Sequence, residues 1–164
     1  MIEFTPARTR FEIETISQLA HEIWNEHYVP FLGQAQIDYM LERLQSANAI
    51  EKQIADGFEY ALVRVDSIAE GYLGVQREPE RSRLFLSKLY VRKGARGRGL
   101  SRRMLEHIEQ LAREAGLRSI WLTVNKQNPA IAVYEHLGFK RVGEVVVDIG
   151  SGYVMDDFSY ERAV

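Results

Sequence analysis

The sequence predicts an α+β, or mixed α/β, domain built around one central sheet. Three observations carry this reading. Apolar residues recur at helical spacing through the first third of the chain, strand-like runs joined by turn residues follow, and from residue 83 onward strands alternate with helices before a closing strand pair.

Ile2 to Thr5 reads as a short first strand. From about Glu12 to His27 the residues Ile16, Leu19, Ala20, Ile23 and Trp24 mark one face of a helix, which Pro30 and Gly33 are expected to end. Gln34 to Gln45 repeats the pattern through Ile37, Met40, Leu41 and Leu44, and a weaker helical piece, Ala49 to Ala55, stops at Asp56-Gly57. The runs FEYALVRV (58–65), EGYLGVQRE (70–78) and RLFLSKLYV (83–91) suit antiparallel hairpins, the last two being joined at the Pro79 turn. Leu100, Met104, Ile108, Leu111 and Ala115 then predict a long helix closed by Gly116. SIWLTV (119–124) reads as a buried strand. Asn128-Pro129 opens a short helix to about residue 137, with a side-chain cap followed by proline at the first helical position. Two last strands, 139–149 and 152–161, flank Gly150-Ser151-Gly152.

A chain of 164 residues with 46% apolar content suits one domain, 1–164, and is short for two. It has no cysteine, which removes disulfides and thiolate chemistry. No stretch approaches the roughly 20 apolar residues that span a bilayer, so a cytoplasmic protein is expected, with no membrane partner. The net charge of −2 argues against a general nucleic-acid binder.

Against that balance, VRKGARGRGLSRRML (91–105) gathers six basic residues and three glycines with no acid. It leaves a strong strand, passes Gly94, Gly97 and Gly99, and enters a helix. Such a helix start offers unpaired N–H groups and a partial positive charge to an anion. If Ser101 capped the helix, a reciprocal acid or amide would be needed at position 104, which is Met104, so no capping box competes for those donors. A phosphate or pyrophosphate is the natural guest. The bland reading is a solvated basic turn.

Arg96-Gly97-Arg98-Gly99-Leu100-Ser101 resembles the Q/R-x-x-G-x-G/A signature of the GNAT family of N-acetyltransferases, departing from it at Ser101. About thirty residues later, NPAIAVYEHLGFKRVG (128–143) is similar to a later signature of the family in its asparagine, tyrosine, glutamate, glycine and phenylalanine, here Asn128, Tyr134, Glu135, Gly138 and Phe139. The resemblance implies a mostly antiparallel sheet of about seven strands, splayed between the fourth and fifth and flanked by about four helices. Residues 83–145 would be the acetyl-CoA-binding core, and the N-terminal helices would line the acceptor site. Backbone groups of Leu89, Tyr90 and Val91 would pair with the pantetheine arm as an added strand does, and the N–H of Leu89 or Tyr90 would polarise the thioester carbonyl. Gly97, Arg98, Gly99, Leu100, Ser101 and Arg102 would give main-chain donors to the pyrophosphate, with Arg96 as a side-chain contact. Asn128 would touch the pantetheine. Tyr134 would stand near the sulfur as the acid for the leaving thiolate. As a lone tyrosine it would read as core packing.

The implied reaction is direct attack of an amine on acetyl-CoA, a co-substrate, with no metal. No carboxylate occupies the fourth strand, where many relatives place one. Glu22, Glu26, His27, Asp156, Asp157 or a water chain remain open as routes for the amine's proton. Trp24, His27 and Tyr28 are the expected acceptor contacts, with Tyr39 and Met40 in the same aromatic-rich set and Glu22, Glu26 and Asp38 nearby, which suits a small cationic amine. The pattern, including GSGYVMDDFSYER, also resembles bacterial relatives that acetylate polyamines. A protein N-terminus or lysine as acceptor, and a non-catalytic acyl-CoA-binding module, are the alternatives. Nucleic acid is not an expected partner, and a homodimer is a common assembly in the family.

Overall fold

A computed structural model describes residues 1–164. Strand β1 (Ile2–Pro6) precedes three helices, α1 (Arg10–Leu32), α2 (Gln34–Leu44) and α3 (Ala47–Ala55). Strands β2 (Phe58–Val65), β3 (Ile68–Glu78) and β4 (Arg83–Val91) lead to α4 (Leu100–Glu114), β5 (Ser119–Asn125) and α5 (Ala130–His136). The chain ends in β6 (Lys140–Gly150) and β7 (Tyr153–Ala163). The seven strands form one sheet in the order β1-β2-β3-β4-β5-β7-β6. Only β4 and β5 run parallel. The expected α+β class and strand number hold. Five helices flank the sheet where about four were expected, because 47–55 folds as a full helix behind the Ser46 cap.

The two faces of the sheet carry separate cores. Helices α1, α2 and α3 cover one face through Ile16, Ile23, Trp24, Ile37, Leu41 and Ile50, packed on Tyr60, Leu62 and Tyr72. On the other face, Leu100, Met104, Leu105 and Ile108 of α4 meet Leu84, Leu86, Ile120 and Leu122, and Tyr134 of α5 packs at the margin. These are the 3.6-residue and two-residue periods visible in the sequence, each turned inward.

Pro30 does not end α1; the helix runs through it to Leu32. A proline removes one backbone donor, and its neighbours still close the turn, with Gly33 N–H donating to Val29 O at 3.0 Å. Gly33, at φ 83°, makes the corner into α2. The extension adds Phe31 and Leu32 to the end of α1 that carries His27 and Tyr28. At the opposite wall, the Tyr39 hydroxyl of α2 donates to Ile149 O at 2.6 Å and ties that helix to the β6–β7 hairpin. Gly150 is required there, since a Cβ would lie 2.6 Å from that hydroxyl. No helix is long and apolar enough to cross a membrane.

Candidate active site

Strands β4 and β5 pair only over Arg83–Phe85 with Ser119–Trp121 and then part. The start of the parting is pinned: Phe85 stacks on Trp121 at 4.5 Å, the Arg83 guanidinium lies 4.2 Å from that indole, and Trp121 Nε1 donates to Glu78 at 3.0 Å. Beyond it, β4 pairs with β3 alone and β5 with β7 alone. Their facing edges therefore carry main-chain groups that no ladder satisfies. On β4 the register against β3 skips Ser87, a bulge that re-aims the side chains after it.

A cavity of about 560 Å³ fills the gap. Its walls include Leu89, Tyr90, Val91, Arg96 and Ser101 from β4 and the loop, with Asn128 and Tyr134 opposite, and Trp24, His27 and Tyr28 above. The structure thus brings ten of the expected site residues to one space. Gly97, Arg98, Gly99, Leu100 and Arg102 are not in its wall; they form the exposed turn beyond it, except Leu100, which is core. Gly97 and Gly99 take φ of 80° and 74°, and nothing lies within 4 Å of where a Cβ would stand on either. Gly99, not Ser101, is the N-cap of α4, and no side chain caps that end. The first N–H groups of α4 are open to a ligand, as the sequence implied. Arg96 Nε donates to Val91 O at 3.1 Å, which folds the side chain back over the end of β4. Arg103 pairs with Glu106 at 3.6 Å on the exposed face of α4.

Asn128 lies ahead of α5, whose N-cap is Pro129. Its Oδ1 accepts from Ala130 N–H at 2.8 Å and stands 2.9 Å from His27 Nε2. Burial lowers the His27 pKa, opposed by the Asn128 bond and reinforced by Arg96. Tyr134 meets Phe139 edge-on at 5.8 Å. Burial, with a smaller push from Tyr28, raises the pKa of its hydroxyl and keeps it protonated. The Tyr28 and Tyr90 hydroxyls meet at 2.7 Å, and burial pushes Tyr28 up to about 12. Below them Trp24 Nε1 donates to Tyr72, whose hydroxyl donates to Gln45. These bonds make a rigid polar floor under the aromatic wall.

The acids of α1 and α2 are absent from the cavity. Glu22 is taken by Arg92 at 2.8 Å, Asp38 accepts from Gln34 at 2.8 Å, and Glu26 is exposed. Met40 lines the cavity and Tyr39 does not. The carboxylate in the wall is Asp157 on β7, 4% exposed, with Oδ1 the single buried side-chain polar atom of the chain that lacks a partner. Burial raises its pKa to about 6, helped by Asp156 and opposed by Thr123. Asp156 points outward to Lys126 at 2.9 Å. The other feature not singled out in the sequence is Lys88, whose signal was a lone charge in the apolar run LFLSKLYV.

Comparison with known proteins fits this geometry. The model of the family described as acetyltransferase (GNAT) family matches residues 17–139. The PaiA N-acetyltransferase from Thermoplasma acidophilum, solved in complex with coenzyme A, aligns over 100% of this chain and 99% of its own with a TM-score of 0.82 at 19% identity. The ribosomal-protein-S18-alanine N-acetyltransferase from Escherichia coli aligns over 100% and 94%, with a TM-score of 0.69 at 17% identity. These likenesses are of fold. In sequence, the streptothricin acetyltransferase of Streptomyces lavendulae is 33% identical over 94 residues, 57% of this chain. The match spans 50% of that relative's length. With the family match extending from α1 into the second motif, the chain belongs to the GNAT family.

Proposed function

We propose that residues 1–164 act as one catalytic domain that passes the acetyl group of acetyl-CoA directly to a small amine arriving as its ammonium cation. The observation that carries this is the parting of β4 and β5 around a cavity that holds an unpaired buried carboxylate, Asp157, together with Tyr134.

The free edge of β4 suits the amides of the pantetheine arm, which can add to it as a strand would. The open N–H groups at Gly99 to Arg102 suit a pyrophosphate, with Arg96 beside them. Acetyl-CoA supplies an activated acyl group on a thiolate leaving group. The backbone N–H of Leu89 or Tyr90 polarises the acyl carbonyl. Trp24, His27 and Tyr28 shape the acceptor wall. Asp157 Oδ1 receives the ammonium and takes its proton, since a carboxylate near 6 is ionised at neutral pH and still basic. The Tyr134 hydroxyl, held protonated by burial, donates to the departing thiolate. The sequence likeness to a streptothricin acetyltransferase supports a small-molecule acceptor.

The test is a screen of small amines and of a peptide with a free N-terminus, with acetyl-CoA, reading thiol release. Turnover on small amines and not on the peptide is expected. Turnover on the peptide alone sinks the small-amine reading, and binding of acetyl-CoA without any turnover sinks the catalytic one.

A further inference from the structure

Two side chains of opposite charge enter the cavity from the same face of the sheet. Lys88 lies on β4 just past the Ser87 bulge, two residues before Tyr90, whose ring packs on the α1-side core. Asp157 lies on β7 two residues after Met155, which packs on that same core. Alternation along a strand therefore puts both groups toward α1 and α2, on the acceptor side. Strand β5 separates their strands.

No ion pair joins them. Lys88 Nζ donates to the Ser87 hydroxyl at 2.8 Å and to the Ser87 carbonyl at 3.3 Å, both neutral. Asp157 Oδ1 has no donor at all. Burial pushes the Lys88 pKa down to about 8, so the amine is still mainly charged at neutral pH. A half-buried cation without a counter-ion and a buried carboxylate oxygen without a donor are each costly, and natural proteins pair such groups. Arg96, the other cation in the wall, is occupied with Val91 O at the loop end.

A simple diamine would satisfy Asp157 and set its second charge against Lys88. An acceptor that is anionic at one point and cationic at another satisfies both orphaned groups at once. We propose that the acceptor is an amine that also bears an anionic group, carboxylate or phosphate, bound by the Lys88 ammonium while its own ammonium sits at Asp157. This rests on the acetyl-transfer reading above and narrows its substrate class.

The experiment compares matched acceptors that differ by one anionic group: L-lysine with cadaverine, 4-aminobutyrate with propylamine, and O-phosphoethanolamine with ethanolamine. Steady-state acetylation is measured for the wild type, Lys88→Met and Lys88→Arg, each checked by thermal melt. The anionic member of the carboxylate or the phosphate pairs is expected to be favoured by at least about 10-fold in kcat/KM, chiefly through KM, and which pair shows it identifies the anion. Lys88→Met is expected to bring that ratio toward one, and Lys88→Arg to keep its direction. Preference for the amines without the anion, or a preference that survives Lys88→Met, overturns the proposal and leaves acetyl transfer standing. Absence of turnover with all six compounds, beside thiol release with another amine or with the peptide, overturns this proposal alone; absence with those as well overturns acetyl transfer and this proposal with it.

Discussion

His27 Nε2 stands 2.9 Å from Asn128 Oδ1, a carbonyl oxygen that also accepts from Ala130 N–H, so the imidazole donates from Nε2 and joins α1 to the start of α5. The ring is held neutral, mainly by burial. Its folded pKa is below the unfolded value near 6.5, so the unfolded chain binds the extra proton more readily and stability falls as pH drops below about 6.5. His27→Phe keeps the edge contacts with Tyr28 and Phe31 and removes the donor. It should cost about 1 kcal/mol at pH 7.5 and remove the His27 share of the acid-side slope, leaving that owed to His107 and the opposing one owed to Asp157. Urea melts at pH 5.5 and 7.5 check this. An unchanged slope would show that His27 does not carry it.

Tyr134→Phe retains the packing on Phe139 and deletes the hydroxyl. If the proton is delivered as the thiolate departs, kcat falls by roughly 10²-fold while the dissociation constant for acetyl-CoA barely moves. A loss under about fivefold reduces Tyr134 to a residue that shapes the wall.

Gly99→Val asks a β-branched residue to hold φ of 74° at the open end of α4 and sets a side chain where a phosphate would approach. Acetyl-CoA at a hundredfold excess over its Kd should stabilise the wild type by about 2.7 kcal/mol. The variant should melt somewhat lower and lose that increment. A ligand shift equal to the wild type's removes the turn from the binding site.

Asp157→Asn separates stability from turnover. The folded carboxyl, near 6, lies above its unfolded value of 3.8, so wild-type stability falls as pH rises through that interval and the ionised group costs about 2 to 3 kcal/mol at neutral pH. The amide should raise the neutral-pH melting temperature, leave the melt at pH 4 nearly unchanged, and cut kcat by roughly 10²-fold or more. The wild-type kcat/KM should drop as pH falls through about 6, a limb absent from the variant's profile. A full acid limb in the variant assigns the titration to another group.

The glycine turn was legible because backbone freedom, charge and the absence of a capping acid all sit within fifteen consecutive letters. Tyr134 and Asn128 were legible through one short motif. Asp157 was not, because it and Asp156 are adjacent, and only the register of β7 against β5 and β6 decides which faces the cavity. The acids of α1 and α2 misled as well: helical position shows a face, whereas Arg92, brought near by the fold, consumes Glu22, and Gln34, four residues back on the same helix, takes Asp38. Pro30 stood as a stop signal, yet packing carried α1 past it. Lys88 needed the Ser87 bulge, a pairing irregularity with no mark in the letters, to reveal its side.

The parting of β4 from β5 leaves two free edges in the interior of the sheet, where most β proteins tolerate none. With acetyl-CoA bound as proposed, the backbone-like arm of the acyl donor closes that seam. Vacant, it is a template for any extended segment, including one from a second, partly unfolded copy. Association through the seam is therefore competitive with acetyl-CoA, and light scattering on heating should lag in its presence by more than the rise in melting temperature alone accounts for. The backbone donors proposed to read acetyl-CoA would then also make the protein's colloidal lifetime depend on how much of that metabolite surrounds it.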